Sequence, residues 1–465
     1  MQVTVFVWFD VEDYITAESD LALGRMVDIL DKHGVKATLK MVGEKVRGLE
    51  RRGHYDILAK LNRHDIGYHT DYHSRPPSIP EYMLEYDWAG GVEEFVRREQ
   101  AGIDTLRQVF QRTPSCYGQP GGAWAPQVYP ALRRWGIPVY LDAGPWVSLG
   151  GRPHRFCDVL DLLGLGNVMH IGISGGRAEV QRRQGTLTET VDRLRHEGGE
   201  VSLYAHECEF ATGQFWDALN FGRGKDTPRE QWLPAALVAD QERDERFAAF
   251  DEFLSLIQSL PDVRLAVAAQ APMLYPDKAK GRSYTPAQIA GMCACMAEMI
   301  THQRQDDAWL SPAEVYGLAV GCLAARARED KWPATVSYRY ADGPSQAPSA
   351  EVTAQSLPLD DILGTCLYED AYLELQGAMP PQVQVGRNWL APHDFVATIG
   401  AAMTRWLAGD VGDARVMSGK MAEARYIPDH CSWDWVVFPA GFDADPLLEM
   451  AKLQSWTLKP APPAQ

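Results

Sequence analysis

Over the first 278 residues, two patterns of apolar positions alternate: continuous apolar runs and apolar residues at helical spacing. Residues 3–9 (VTVFVWF) form an unbroken apolar run, which is typical of a strand buried on both faces. Residues 19–34 then carry apolar side chains at helical spacing and end at a glycine. About seven or eight such strand–helix units fit into this part of the chain, so we expect an α/β fold with a parallel sheet. The number of units favours a (β/α) barrel, incomplete and with seven strands, over an open sheet.

A polar, turn-rich stretch at residues 276–283 (PDKAKGRS) ends this alternation. The sequence beyond it is mainly helical, and WLSPAEV at 309–315 returns as WLAPHDF at 389–395. Two explanations are open: a repeated structural unit, or the capping residues that many helix N-termini share. We therefore expect a barrel over residues 1–278 and a smaller, mainly helical accessory domain over residues 279–465.

The overall charge narrows the range of partners. The 465 residues include 45 Lys and Arg against 62 Asp and Glu, for a net charge of -17. Because so acidic a chain repels phosphate, we expect no nucleic-acid partner. No stretch approaches the roughly 20 apolar residues that span a bilayer. A homo-oligomer is compatible with the sequence.

The start of the chain and its cysteines bear on the cellular compartment. The first apolar run follows Met1 at once, without a basic segment or a small-residue cleavage site. We therefore expect a cytoplasmic protein, or a secreted or envelope-associated one if a leader has been removed. The eight cysteines are scattered and form no CxxC pair, which indicates reduced thiols rather than disulfides or a zinc–thiolate site.

Acidic and imidazole side chains gather where the predicted strands end. They are Asp10, Glu12, Asp13, His69, His73, Asp142 and His206. His69 and His73 lie four residues apart, so on one face of a helical turn both rings can reach one metal ion. Because parallel α/β folds carry their active sites at the carboxyl ends of strands, this set predicts a metallohydrolase site. One carboxylate would act as general base, and His206 would protonate the leaving group.

The order of these segments resembles the polysaccharide deacetylases of carbohydrate esterase family 4, the NodB-homology type. The segments are FDVED at 9–13, HTDYH at 69–73, CYGQPGGAW at 116–124, LDAGPW at 141–146 and LYAH at 203–206. The resemblance covers about residues 1–275 and implies an incomplete (β/α) barrel. It also implies a metal-dependent hydrolase that removes an acetyl group from a carbohydrate substrate, with N-acetyl favoured over O-acetyl.

The resemblance assigns roles to individual residues. Asp10 would be the base that deprotonates the attacking water, and His69 and His73 would hold the metal ion. Glu12 or Asp13 would be the third ligand. Side chains at positions i and i+2 of an extended strand face the same way, which favours Glu12 beside Asp10, whereas a turn after Glu12 would favour Asp13.

His206 would be the general acid, oriented and kept protonated by Asp142. The donor set suits zinc, with cobalt, manganese and nickel as alternatives. One departure matters: the family has an arginine beside the base, and the loop CYGQPGGAW offers only Gly118 or Gln119 there. We expect Gln119 to orient the base instead, and we expect the chain to belong to a divergent branch.

Aromatic rings near these segments fit a sugar ligand, because the faces of pyranose rings stack on flat apolar surfaces. The residues expected to bind substrate are Gln119, Trp124, Trp146 and Trp216. A position in the core is the alternative for each tryptophan.

Two other functions fit the same residues. The site could hydrolyse a small cyclic amide or ureide, which a closed pocket of that size would favour. The barrel could also be an inactive glycan-binding module, for which the missing arginine is the only support. The C-terminal region faintly resembles pseudomurein-binding repeats, and a domain that supports the barrel is an equal alternative. The aromatic segment HCSWDW at 430–435 fits neither description.

Overall fold

The computed structural model describes residues 1–464, and strands alternate with helices over the first 274 of them. The strands are β1 (Val3–Val11), β2 (Thr38–Met41), β3 (Asp65–Tyr68), β4 (Cys116–Tyr117), β5 (Val139–Tyr140), β6 (His154–Phe156), β7 (Val159–Asp161), β8 (Val168–His170), β9 (Glu200–His206) and β10 (Val263–Ala266). The helices are α1 (Glu18–Lys32), α2 (Gly43–Arg51), α3 (Tyr55–Leu61), α4 (Ile79–Met83), α5 (Trp88–Phe110), α6 (Val128–Trp135), α7 (Gly176–Glu197), α8 (Trp216–Phe221), α9 (Asp240–Ser259) and α10 (Ala271–Leu274).

The remainder of the chain combines longer helices with very short strands. The helices are α11 (Pro286–Cys295), α12 (Pro312–Glu329), α13 (Leu359–Gln376), α14 (Pro392–Leu407) and α15 (Asp445–Gln454). The strands are β11 (Ser283–Tyr284), β12 (Met299–Ile300), β13 (Gln303–Gln305), β14 (Ala308–Leu310), β15 (Val336–Ser337), β16 (Ser356–Leu357), β17 (Val383–Val385), β18 (Asn388–Leu390), β19 (Ala414–Arg415), β20 (Lys420–Met421) and β21 (Lys459–Pro460). None of the helices within residues 1–464 is long and apolar enough to cross a membrane.

One large sheet organises the first part of the protein. Its strand order is β21–β6–β7–β5–β4–β3–β2–β1–β9–β8, and β10 pairs with the first half of β1. All neighbours from β7 to β8 are parallel, whereas β6 and β21 are antiparallel edge strands. Within residues 1–464 the two ends of this path do not pair with each other, so the sheet stays open. The predicted incomplete α/β barrel is confirmed, but the sheet has eleven strands rather than seven.

The sheet curls around a narrow interior. Phe6 and Trp8 on β1 belong to the same apolar cluster as Leu160 on β7, although five strand positions separate β1 from β7. In a flat sheet those strands would lie roughly 24 Å apart. Alternate side chains of β1 face the opposite way, towards the covering helices. The inward side of β1 continues through Asp10 to Glu12, so both carboxylates lie at the carboxyl end of the interior.

A second core holds the region after residue 278 and includes residues from Ala279 to Trp456. Two like units build it, each with a helix, a β-hairpin and a second helix: α11–β13–β14–α12 and α13–β17–β18–α14. The two hairpins have the same register, with Gln303 opposite Leu310 in one and Val383 opposite Leu390 in the other. The segments WLSPAEV and WLAPHDF therefore occupy equivalent places, as a repeated unit predicts.

The end of the chain returns to the barrel. Ile427, Trp433, Phe438 and Leu458 belong to the first core, and β21 pairs with β6 at the edge of the large sheet. The expected second domain over residues 279–465 therefore includes a terminal segment that packs with the first. The hydrophobic pattern predicts that these side chains are buried, but it does not predict which of the two cores they join.

Candidate metal centre and active site

Charged side chains from several strands meet at the carboxyl edge of the sheet. The register places Asp10 of β1 opposite Lys40 of β2 on one side and opposite His206 of β9 on the other. His69 directly follows β3, and Asp142 lies two residues after β5. Because parallel strands end at the same edge, side chains that are far apart in sequence become neighbours here.

Glu12, His69 and His73 form a compact group of potential ligands. Oε2 of Glu12 lies 2.8 Å from Nε2 of His73 and 3.5 Å from Nε2 of His69. Nδ1 of His69 donates to the carbonyl oxygen of Gly118, and Nδ1 of His73 contacts Oγ of Ser74, both at 2.9 Å. These contacts orient the rings and leave both Nε2 atoms for a shared ligand.

The donor atoms of this group suit a divalent metal ion. Both Nε2 atoms are buried and make no hydrogen bond of acceptable geometry within residues 1–464. Buried polar atoms are rarely left in that condition, because leaving them without a partner costs free energy. Two imidazoles and one carboxylate with open coordination positions are typical of catalytic zinc sites, and other divalent first-row ions accept the same donors.

The two histidines lie on an irregular turn, so the helical turn expected from their spacing is wrong. Thr70 and His73 have φ angles of 67° and 56°, a conformation uncommon for residues other than glycine. Oγ1 of Thr70 accepts from the backbone N–H of His73 at 3.0 Å, and Glu99 accepts from the N–H of Asp71 at 2.7 Å. These hydrogen bonds, rather than helical periodicity, bring the two imidazoles together.

Asp13 takes no part in this group, although it follows Glu12 directly. Its carboxylate accepts from the N–H groups of Ile15 and Thr16 and from Oγ of Ser19, at 2.8–3.0 Å. These contacts fix the chain at the entry to α1, as capping carboxylates do. The alternative prediction of Asp13 as a ligand is therefore wrong, because its side chain is used for helix entry.

Lys40 lies beside Asp10. Its side chain is fully buried over the ring of Trp8, and Nζ pairs with Oδ1 of Asp10 at 2.8 Å and with Asp142. Burial lowers the pKa of Lys40, but the carboxylates of Asp10 and Asp142 outweigh it, so the ammonium stays charged. Burial raises the pKa of Asp10, but His69 and Lys40 outweigh it, and Asp10 stays ionised.

Glu209, not Asp142, orients His206. Nδ1 of His206 lies 2.6 Å from Oε1 of Glu209, and Nε2 of His170 lies 2.7 Å from the same oxygen. Nε2 of His206 lies on the side of Asp10, 3.7 Å from Oδ2. Burial lowers the pKa of His206, but the hydrogen bond with Glu209 and the neighbouring carboxylates outweigh it and raise the pKa to about 10. The prediction that Asp142 orients His206 is wrong, because Asp142 pairs with the buried lysine instead.

One cavity of about 640 Å³ is lined by Asp10, Glu12, His73, Asp142 and His206. Tyr204 and Phe215 supply aromatic walls from the barrel, and Trp435 supplies another from the terminal segment. Asp217 and Asp434 add carboxylates to those already named. Burial raises the pKa of Asp217 to about 6. Because carboxylates outnumber cationic side chains in its lining, the cavity disfavours anionic ligands.

Three residues expected to bind substrate lie in the interior instead. Trp124 and Trp146 are buried and stack on each other with ring centroids 5.7 Å apart. Trp216 is buried too, and its Nε1–H donates to Oε1 of Glu12 at 3.3 Å while its ring packs against His73. The core alternative is therefore correct for all three, and Trp216 positions a candidate metal ligand.

The sequence predicts that Gln119 orients Asp10, and this prediction is wrong. Gln119 lines the cavity, but its side chain does not hydrogen-bond to Asp10. Its side-chain nitrogen donates to the carbonyl oxygens of Gly121 and Ala143, both at 3.3 Å. Its side-chain oxygen is buried and has no hydrogen-bond partner within residues 1–464. Gln119 therefore offers an acceptor to a ligand, and Lys40 fills the role beside Asp10.

Solved polysaccharide deacetylases resemble this chain. A protein assigned as a polysaccharide deacetylase from Mycobacterium smegmatis is 16% identical, with a TM-score of 0.40, over 58% of this chain and 89% of that chain. The peptidoglycan deacetylase PdaC from Bacillus subtilis is 12% identical (TM-score 0.31; 58% of this chain, 90% of that chain). A CE4 esterase from Streptococcus mutans is 12% identical (TM-score 0.34; 57% of this chain, 86% of that chain).

No family model and no curated protein matches the chain. With TM-scores no higher than 0.40, the structural likenesses say nothing about the reaction. The function has to be derived from the side chains of the site itself.

Three residues of the site escaped the sequence reasoning: Lys40, Glu209 and Trp435. The sequence does contain a sign of the role of Lys40: a lysine in the middle of a buried strand (TLKM) needs a carboxylate partner. Glu209 follows His206 by three residues in HECEF, a spacing that allows a turn to bring the two side chains together. Trp435 reaches the cavity from the far end of the chain, and no local pattern indicates such a contact.

Proposed function

We propose that the barrel is a metal-dependent hydrolase that removes an acetyl group from a carbohydrate, with N-acetyl favoured over O-acetyl. The observation that carries this proposal is that Glu12 and His73 of the Glu12–His69–His73 group line one cavity together with Asp10 and His206. A metal-binding group with a carboxylate and an imidazole beside it provides what the hydrolysis of an amide requires.

Glu12, His69 and His73 are the residues that would hold the ion, and Trp216 would orient the carboxylate of Glu12. When bound, a divalent ion supplies a Lewis acid that polarises the acetyl carbonyl and lowers the pKa of water. Zinc fits the donor set best, with cobalt, manganese and nickel as alternatives.

Asp10 and His206 would carry the proton transfers. Asp10 takes a proton from the attacking water, and Lys40 holds its carboxylate in place. His206 is protonated at neutral pH, because its pKa is raised to about 10, and it gives its proton to the leaving nitrogen as the C–N bond breaks. Glu209 stabilises the imidazolium before that transfer. The products are acetate and a free amine.

The shape and charge of the cavity favour a neutral acetylated sugar. A volume of about 640 Å³ exceeds what a small cyclic amide or ureide fills, so the cavity favours the glycan over that alternative. Phe215 and Trp435 offer aromatic surfaces to a pyranose ring. The carboxylates on the walls disfavour uronates and phosphorylated sugars.

The alternative hypothesis, an inactive glycan-binding module, depends on the missing arginine beside the proposed base. Lys40 supplies a positive charge at the same carboxylate, 2.8 Å from Oδ1 of Asp10. The charge balance around the proposed base is therefore complete, which favours an active enzyme.

Acetate release from chitooligosaccharides, peptidoglycan fragments and acetylated xylan tests this function. We expect release from at least one N-acetylated glycan, loss of activity after chelation and recovery on addition of zinc. Asp10→Ala should abolish the activity. Release that persists in the chelator, or in Asp10→Ala, contradicts the proposed function.

A further inference from the structure

A second cavity, of about 550 Å³, lies outside the barrel, between α13 and the hairpin β17–β18. We call it the α13 groove. Its lining residues are Asp360, Asp361, Gly364, Thr365, Tyr368, Glu369, Tyr372, Pro380, Pro381, Gln382, Gln384, Gly386 and Trp389. The lining combines carboxylates and aromatic rings, and none of these residues is a lysine, arginine or histidine.

Three carboxylates of the groove have no cationic partner. Asp360, Asp361 and Glu369 form no ion pair within residues 1–464. The first two lie in the first turn of α13, where a helix dipole stabilises negative charge. Glu369 lies more than two turns further along, so the dipole does not explain it.

Glu369 is the buried acid of the groove, with only 1% of its surface exposed. Oε2 accepts a hydrogen bond from the hydroxyl of Tyr316 at 3.3 Å, while Oε1 has no hydrogen-bond partner within residues 1–464. Burial raises the pKa of Glu369 to about 7. A cation in the groove would favour the ionised form.

Aromatic rings stand beside these carboxylates. The rings of Tyr368 and Tyr372 lie 6.4 Å apart, and Trp389 projects from the hairpin. Tyr368 is 67% exposed, so its ring is accessible to a ligand. Aromatic faces attract ammonium groups by cation–π interaction and also provide flat surfaces for sugar rings.

The repeated unit offers an internal comparison. When α11 and α13 are aligned from their first residues, the buried Ile289 and Cys293 match the buried Ile362 and Cys366. On the same alignment, Asp360, Asp361 and Glu369 correspond to Ala287, Gln288 and Met296. The fold of the unit therefore does not require these carboxylates, and a ligand is the better explanation for Glu369.

We infer that the α13 groove binds an ammonium-bearing carbohydrate, that is, a glycan with free amino sugars. This inference rests on the proposed function, because deacetylation converts neutral N-acetyl sugars into basic amines that take up protons to become ammonium groups. The groove would hold the deacetylated part of a polymer while the barrel acts on another part. The carboxylates bind the ammonium groups, and the aromatic rings bind the sugar faces.

Calorimetric titration of the full chain with glucosamine hexamer and with N-acetylglucosamine hexamer tests the inference. A chelator is present so that no turnover occurs. We expect the glucosamine hexamer to bind at least about tenfold more tightly, an advantage equivalent to roughly 1.4 kcal/mol. Asp361→Asn and Glu369→Gln should each remove most of this advantage, and high salt should reduce it.

The matched control is Glu374→Gln, which removes the same charge from an exposed position of α13 outside the groove. It should bind like the wild type. Equal affinity of the wild type for the two hexamers overturns the inference. If both Asp361→Asn and Glu369→Gln keep the wild-type preference for the glucosamine hexamer, the inference is also overturned, because binding then occurs outside the groove. A chain that discriminates the hexamers but releases no acetate contradicts the proposed function and leaves the groove in place.

Discussion

Lys40 and Asp10 are direct neighbours in the sheet, with Nζ of Lys40 2.8 Å from Oδ1 of Asp10. The lysine comes from the middle of a buried strand, not from a loop, and its ammonium is shared with Asp142. Removing one partner of a buried ion pair is costly because the other charge is left uncompensated. This arrangement makes Lys40 essential to the charge balance of the proposed active site.

Replacement of Lys40 by methionine should therefore destabilise the protein and abolish acetate release. We expect a loss of about 3–5 kcal/mol in the free energy of unfolding, measured by denaturant titration. Lys60→Met is the matched control, because Lys60 pairs with Asp28 on the surface, and it should cost no more than about 1 kcal/mol. Lys40→Arg should recover part of the activity. Wild-type stability and activity in Lys40→Met would show that the pair is dispensable.

The pH dependence of the rate should depend on Glu209. His206 must be protonated to act as an acid, so the rate falls as pH rises through its pKa. Because the carboxylate of Glu209 raises that pKa, Glu209→Gln should move the alkaline limb of the rate profile to lower pH. Glu200→Gln removes a buried carboxylate from the start of the same strand and should leave the limb in place. An unmoved limb in Glu209→Gln would mean that His206 is not the titrating acid.

Glu12 and Asp13 should respond differently to mutation, although they are adjacent in sequence. Glu12→Gln removes a proposed ligand, so the affinity for zinc should fall by more than the roughly 10–100-fold that loss of a supporting residue causes. Asp13→Ala should leave zinc affinity unchanged and lower the free energy of unfolding by about 1–2 kcal/mol, because it removes the contacts at the entry to α1. Zinc titration and denaturant unfolding of both variants check this. Loss of zinc affinity in Asp13→Ala, with unchanged affinity in Glu12→Gln, would show that Asp13 rather than Glu12 is the ligand.

Trp435 should contribute to substrate binding more than to the chemical step. Its ring lines the cavity and packs near His73, but it carries no acid or base. Trp435→Ala should raise KM by about tenfold and change kcat little, since aromatic contacts are worth roughly 1 kcal/mol or more. Trp332→Ala, at a partly buried position packed against the second core, should leave KM unchanged. A large fall in kcat with constant KM would indicate that Trp435 acts on the reaction itself.

The barrel could be predicted from the sequence because strand runs such as residues 3–9 are long and wholly apolar. The strand count was wrong because β6, β7 and β21 have only two or three residues each, too few for any pattern, and β21 joins the sheet from the far end of the chain. The placement of Glu12 beside Asp10 followed from the two-residue period of an extended chain. The His69–His73 pair was found from its spacing, although a turn rather than a helix creates it.

The partners of the proposed catalytic groups are harder to predict than the groups themselves. Asp142 and Lys40 meet across the curled sheet, which no local pattern indicates, whereas Glu209 meets His206 through the short turn that follows β9. The tryptophans could not be assigned either, since a ring that stacks on a sugar and a ring that fills a core look alike in sequence. Packing in three dimensions decided between them.

Metal analysis of the purified chain tests the central claim most directly. After exposure to zinc and removal of the excess, the wild type should retain one ion per chain at the Glu12–His69–His73 group. His69→Ala combined with His73→Ala should retain none, and its circular dichroism spectrum should match that of the wild type. Tight binding of one zinc ion by the double variant, or none by the wild type, would contradict the proposed metal centre.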